Sequence, residues 1–214
     1  MLIRSDSVSH LTPIGLQAMA AYGVTTVIDL RTDAELAGAA PDTRFGWSGA
    51  NVSRAPGVMY LHLPLVASVQ PRPDQGPPGI GRYVRIVDDR QAAFGAVFNA
   101  IAEADGAVLF HCHAGKDRTG LVAALLLELA GVAREHIAAD FGETDDQLAK
   151  LYSMWLTAAA PELREEMRAD LCCPADRILG MLDHIDTKWE GAANYLERAG
   201  VSASYLERLS ARLR

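Results

Sequence analysis

Apolar positions along this chain repeat with two periods, and the two alternate. From Ile14 to Tyr22 (IGLQAMAAY) they fall at helical spacing, and Gly23 follows where a left-handed residue would close the helix. From Val24 to Leu30 (VTTVIDL) they become a β-branched run, the pattern of a buried strand. Arg31 to Glu35 leaves that strand as a polar loop, with Thr32 placed to cap a short helix. Ala37 to Ser53 is rich in Gly, Ala and polar residues and reads as irregular. Val58 to Leu65 (VMYLHLPL) predicts a second strand, stopped by Pro64.

Gln70 to Gly81 is dense in proline and glycine, a loop long enough to act as a lid. Helical spacing returns from Tyr83 to Ala104 through Phe94, Val97, Phe98 and Ile101, and Gly106 ends it. Ala107 to Phe110 (AVLF) is a short buried strand. A sharp turn through Cys112–Arg118 then opens a helix near Thr119 that is apolar on nearly every face and closes at Gly131. Beyond it, Ala133 to Arg168 and Pro174 to Leu213 read as mainly helical, with Pro174 and Asp176 as a helix start. Helix–strand alternation of this kind predicts an α/β fold: a three-layer sandwich with a central, mainly parallel sheet. The expected organisation is a single domain over 1–214, with 133–214 a helical C-terminal extension packed on it.

Composition narrows the function. At 214 residues, half of them hydrophobic, the chain can build a sizeable core. A formal net charge of -7 argues against nucleic-acid binding, which rests on many Lys/Arg–phosphate contacts. The longest dense apolar run, Leu121 to Leu127, is far too short to span a bilayer, so no integral membrane segment is expected. Met1 to His10 carries no apolar signal segment. The default location is therefore cytoplasmic, and export by a route without a signal peptide would leave no trace. The three cysteines, Cys112, Cys172 and Cys173, do not form a disulfide framework. No spaced His/Cys/Asp set calls for a metal, and no cofactor is expected. Nothing in the sequence specifies an oligomeric state.

The chemistry gathers in His111-Cys112-His113-Ala114-Gly115-Lys116-Asp117-Arg118-Thr119-Gly120. A thiol is a useful nucleophile only when ionised, and positive surroundings lower its pKa from roughly 8.5 to about 3.5–7.5. A loop between a strand and a helix aims several backbone N–H groups at one point, and the helix N-terminus adds partial positive charge. The same nest binds a phosphate dianion. His113, Ala114, Gly115, Lys116, Asp117, Arg118 and Thr119 are its expected phosphate-binding residues.

Arg118, at the Cys-x5-Arg spacing, can hold two phosphate oxygens with its planar fork. Lys116 would add a second cation at the rim. Thr119 can hydrogen-bond the sulfur and help it leave. His111 orders the loop through hydrogen bonds. The leaving oxygen needs a proton. Asp117 in the loop and Asp74 on the Pro-rich lid are both candidates. Asp88 and Asp89 are weaker ones, read as capping or solvating the helix around Ala93. Asp29 reads as a structural pairing residue, and Arg31 is open between that and a second anion contact. Cys172 and Cys173 read as packed or surface thiols, with a protective disulfide to Cys112 as the sharper alternative. A helix over Ala158–Arg168 could cover the pocket, with Leu156 and Met167 lining it.

This segment resembles the signature of the protein tyrosine phosphatase superfamily. With Lys and Asp inside the loop, it is similar to the bacterial branch that also accepts phosphoserine/threonine or phosphoinositides. Leu2–Thr12 (LIRSDSVSHLT), Tyr22–Glu35, His62–Leu65 (HLPL) and Trp189–Leu213 (with AANYLERAGVS) look like further blocks of that branch. The resemblance implies that Cys112 is the nucleophile, Arg118 the phosphate ligand and Asp117 the general acid. It also implies a phosphorylated protein or phosphoinositide as substrate. One departure stands out: the branch usually carries an Arg-Asp-Leu-Gly-Gly-type segment ahead of the Arg-Ser block, and here Met1 precedes that block. That leaves an N-terminal edge strand, and any site contact it makes, without support. The alternatives from other classes are a rhodanese-like sulfurtransferase, a catalytically weak phosphate-binding module, and an arsenate reductase drawing on Cys172 or Cys173.

Overall fold

The computed structural model describes residues 1–37, 54–67 and 79–213. Most of Ala37–Ser53 and of Gln70–Gly81, including Asp74, lies outside the described residues. The sheet has four parallel strands in the order β1-β4-β2-β3: β1 (Leu2–Ser5), β2 (Val24–Asp29), β3 (Met59–His62) and β4 (Ala107–His111). The architecture is the expected α/β one, and its outer strand next to β4 is β1, formed by the Arg-Ser block itself.

Side chains alternate across the sheet with the period of two that a strand imposes. Val27 and Leu109 point to one face, where they meet Leu16 and Met19 of α1 (Pro13–Ala21). Ile28, Val108 and Phe110 point to the other. The core on that second face is built from α4 (Gln91–Glu103), α5 (Asp117–Leu129), α8 (Ala175–Trp189) and α9 (Ala192–Arg198). Leu121, Val122 and Leu125 of α5 are wholly buried. At about 1.5–3 kcal/mol for each such side chain, this core anchors the helix whose first turn carries Asp117 and Arg118.

Several boundaries differ from those the sequence predicts. The helix over Tyr83–Ala104 is two helices, α3 (Ile80–Asp89) and α4, joined at Arg90, whose φ of -124° and ψ of 25° leave the helical region. The break lets Tyr83 and Val87 on one helix and Phe94 and Phe98 on the next face one core. The strand expected to reach Leu65 pairs only to His62, although Leu63 and Leu65 still bond to Asp29 O and Leu30 O. Asp88 does not cap the following helix. It accepts hydrogen bonds from His184 Nε2 and Lys188 Nζ on α8, both at 2.8 Å. The helix expected over Ala158–Arg168 is interrupted too. α6 (Arg134–Ala158) ends where Ala159 and Ala160 turn extended, a short turn begins at Pro161, and α7 (Arg164–Leu171) follows. Proline lacks the N–H that would continue the helix. Of the two residues expected to line a pocket, Met167 is buried and Leu156 half-buried. α10 (Ala203–Ala211) packs on α4 and α5.

Candidate active site

β4 ends at His111 and α5 begins at Asp117, so residues 112–116 form the turn between them. The turn sits at the C-terminal edge of the parallel sheet, where α/β folds place their sites. Its backbone is tied on all sides. Ser7 N–H donates to His113 O at 2.9 Å, Leu30 N–H to His111 O at 2.8 Å, and Gly120 N–H to Lys116 O at 2.7 Å. Arg4 of β1 donates to Gly115 O at 3.0 Å and to Thr144 Oγ1 at 2.9 Å, and pairs with Asp140 at 2.6 Å. The edge strand thus makes a direct contact with the loop.

Gly115 has a φ of +66°, and a Cβ there would lie 2.5 Å from Ser5 O. Both the dihedral and the close approach to β1 exclude a side chain. Gly115→Ala is expected to cost about 1–3 kcal/mol of stability and to weaken inorganic phosphate binding by ~10-fold or more, since the loop amides lose their common focus. Thermal melting and phosphate titration would check this. Unchanged phosphate affinity would show that the turn tolerates a side chain.

Cys112 lies at the base of the turn with 3% of its surface exposed. Arg118 is held rigidly beside it. Its two terminal nitrogens donate to Glu35 Oε2 at 2.6 Å and Oε1 at 2.8 Å, a bidentate fork. Burial works against the guanidinium charge, but the Cys112 sulfur and the Glu35 carboxylate outweigh it and raise the Arg118 pKa further. Glu35 is itself fixed by a capping box on α2 (Asp33–Leu36). Thr32 N–H donates to Glu35 Oε2 at 2.7 Å and Glu35 N–H to Thr32 Oγ1 at 3.2 Å. Thr32 is the expected cap. The loop motif does not reveal Glu35 as the partner of Arg118, although the Thr-x-x-Glu spacing of Thr32 and Glu35 is the signature of its capping box.

His111 is fully buried, and its Nδ1 lies 2.8 Å from Cys112 O. A carbonyl only accepts, so Nδ1 carries the hydrogen. Burial lowers the ring's pKa despite Asp29 at 3.8 Å from Nε2, which favours the neutral ring bonded to the Cys112 carbonyl. Burial pushes His113 down to about 3, helped by the charges of Arg118 and Arg31, and its ring stacks on Trp155. Arg31 is committed to Asp29, donating to both carboxylate oxygens at 2.7–3.1 Å, and also reaches Ser9 Oγ. Asp29 in turn stands behind His111, 3.8 Å from its Nε2.

Two expectations within the loop need correction. Lys116 is not at the rim. Its ammonium is buried, donates to Asp170 O at 2.5 Å at the C-terminal end of α7, and lies 3.6 Å from Asp117 Oδ2. Free carbonyls at a helix C-terminus attract a cation. Thr119 Oγ1 is buried without a hydrogen-bond partner among the described residues, so the bond to the sulfur is not formed here.

Asp117, the first residue of α5, keeps 23% of its side chain accessible. Burial would raise its pKa. The charges of Lys116, Arg82 and Arg118, with a hydrogen bond from Tyr83, instead bring it down to about 2. Tyr83 is a second residue the motif does not reveal. Cys173 is buried among Asp145, Asp117 and Lys116, with its thiol pushed up to about 12 chiefly by burial, which makes it a poor nucleophile. Cys172 faces Ala169 O and Arg177. Among the described residues no cluster of three or more His, Cys, Asp or Glu is placed to hold a metal, and no helix is long and apolar enough to cross a membrane.

A sheet-edge turn that joins a buried cysteine, a locked arginine and a partly open aspartate is the arrangement of a cysteine-dependent phosphatase. The model of a tyrosine phosphatase family matches residues 1–214, and the chain belongs to that family. A tyrosine-protein phosphatase of Nostoc commune is 32% identical over 99% of this chain and 73% of its own length. The triple specificity protein phosphatase PtpB of Mycobacterium tuberculosis is 27% identical, over 97% of this chain and 88% of its own. A crystal structure of TpbA from P. aeruginosa is 22% identical with a TM-score of 0.35, covering 78% of this chain and 86% of that one.

Proposed function

We propose that this chain, as one phosphatase domain, hydrolyses phosphotyrosine through a phosphocysteine, and that its substrates extend to phosphoserine/threonine or phosphoinositides. The observation that carries the reading is the placement of Cys112 at the base of the amide turn, beside an Arg118 already fixed by Glu35. The Cys112 thiolate attacks phosphorus in line, and the P–O bond to the leaving group breaks. Arg118 and the loop amides hold the equatorial oxygens. Water then cleaves the S–P bond and releases phosphate.

Asp117 supplies the leaving-group proton in this reading. Its resting carboxyl is ionised, held low by the neighbouring cations. A substrate dianion beside it offsets those cations and raises its pKa, so Asp117 takes up a proton as the complex forms. The broader substrate range is supported by the likeness to a triple specificity phosphatase. Lys116 would serve a second phosphate group only by leaving the α7 carbonyls.

Asp117→Asn is expected to lose about 10²-fold in kcat on phenyl phosphate and under about 5-fold on para-nitrophenyl phosphate, whose leaving group needs no proton. Equal losses on both would remove Asp117 from this role. A panel of phosphotyrosine and phosphoserine peptides and phosphoinositide vesicles, run on wild type and Cys112→Ser, tests the substrate range. Turnover of phosphotyrosine alone would confine the activity to that substrate.

A further inference from the structure

The phenol of Tyr83 donates to Asp117 Oδ1 at 2.5 Å. It reaches the loop from α3, an element outside the signature, and only 1% of its surface is exposed. Its ring meets Phe141 of α6 edge-on, with centroids 6.1 Å apart and an interplanar angle of 87°. Phe141 in turn lies against Gly120 of α5, where a Cβ would come within 3.0 Å of the ring. α3 is itself braced. Ile80 fills a notch at Gly180, where a Cβ would lie 2.9 Å from it, and Asp88 is bonded to His184 and Lys188 of α8. A phenol fixed through both its ring and its helix cannot follow a rotating carboxylate, so it sets that carboxylate's orientation.

We propose that Tyr83 is the positioning residue of Asp117, occupying Oδ1 as a fixed donor so that the transferable proton sits on Oδ2. This rests on the reading of Asp117 as the general acid. An O–H aimed at Oδ1 leaves Oδ2, which faces the Lys116 ammonium at 3.6 Å without a hydrogen bond to it, as the site for the proton that passes to the leaving oxygen, and that transfer returns Asp117 to the carboxylate. Burial and the charge of Asp117 hold the phenol's pKa well above its ordinary value, so it remains a donor throughout the working range.

The other groups facing Asp117 come from every neighbouring element: Lys116 from the loop, Arg118 from α5, Arg82 from α3, Tyr152 from α6 and Cys173 beyond α7, with Asp145 and Asp170 behind these last two. Tyr83 is the one side chain that donates a hydrogen bond to the Asp117 carboxylate among the described residues. Its removal therefore acts on both orientation and proton affinity.

Tyr83→Phe keeps the ring packing and deletes only the hydroxyl. Losing one hydrogen bond to the charged form raises the acid's pKa, so the alkaline limb of kcat for phenyl phosphate should move up by about one pH unit. Its plateau should fall ~10-fold, while para-nitrophenyl phosphate changes by less than about 2-fold, since only the poor leaving group needs the proton. The Asp117 carboxyl-carbon NMR titration of the free protein should move the same way, independently of turnover. In an Asp117→Asn background, Tyr83→Phe should add no further loss. A merely structural tyrosine would slow both substrates by one factor and leave the limb in place. If Asp117→Asn removes the limb but Tyr83→Phe leaves both the limb and the NMR titration unmoved, this proposal alone is overturned. If Asp117→Asn keeps the limb, the acid assignment falls and the positioning role falls with it.

Discussion

Cys112→Ser eliminates turnover by ~10⁴-fold or more while phosphate-ester binding persists, because it removes one member of a catalytic unit and leaves the binding turn intact. The serine hydroxyl fits where the thiol lies, so the amide nest, Gly115 and Arg118 keep their places. A hydroxyl is not ionised by these surroundings at neutral pH, so attack on phosphorus is lost. Calorimetric titration with a phosphotyrosine peptide should show affinity within a few-fold of the wild-type KM. A serine variant with substantial turnover would mean that some other group attacks phosphorus.

Arg118→Lys comes next, with an expected loss of ~10³–10⁴-fold in kcat/KM, the scale on which an arginine stabilises phosphoryl-transfer charge. Lysine keeps the charge but not the planar fork, so it cannot bond Glu35 through two nitrogens and still aim at phosphate. Glu35→Gln separates these roles. It keeps the arginine but turns a buried ion pair into an uncompensated charge, at a cost of about 3–5 kcal/mol. kcat/KM should fall by ~10²-fold with Arg118 present but misaligned. The pairing also gives an acid dependence. Burial would raise the Glu35 pKa, but the bonds from Arg118 and Thr32 leave it below the ordinary 4.5. The stability this contributes is full above the unfolded-state value and is lost as pH falls through the folded one. Glu35→Gln should flatten that part of the stability–pH curve. An identical acid profile and unchanged kinetics would mean that the ion pair does not hold Arg118.

Local chemistry explains what was legible in the sequence. VTTVIDL and AVLF declare buried strands because both faces of the sheet are covered, and the Cys-x5-Arg turn carries its roles in adjacent residues. Gly115 could be read as a tight position for the same reason, although the Ser5 carbonyl that makes it so belongs to β1. What stayed hidden was set by contacts across the chain. Glu35 and Arg118 are 83 positions apart, and Tyr83 and Asp117 are 34 apart, so no spacing rule joins them. Lys116 looked like a rim cation because its partner, the end of α7, lies 54 positions away. The break at Arg90 lies between two runs that share one core, and periodicity alone reads them as continuous.

The proposed hydrolysis turns on a covalent phosphoryl group at Cys112. Rapid quenching of the wild-type protein with para-nitrophenyl phosphate, followed by peptide mass analysis, tests that directly. The predicted result is a single added phosphoryl group on the peptide containing Cys112, absent from Cys112→Ser and longer-lived when the second step is slowed. A phosphoryl group on any other residue, or steady turnover with Cys112 never modified, would contradict it.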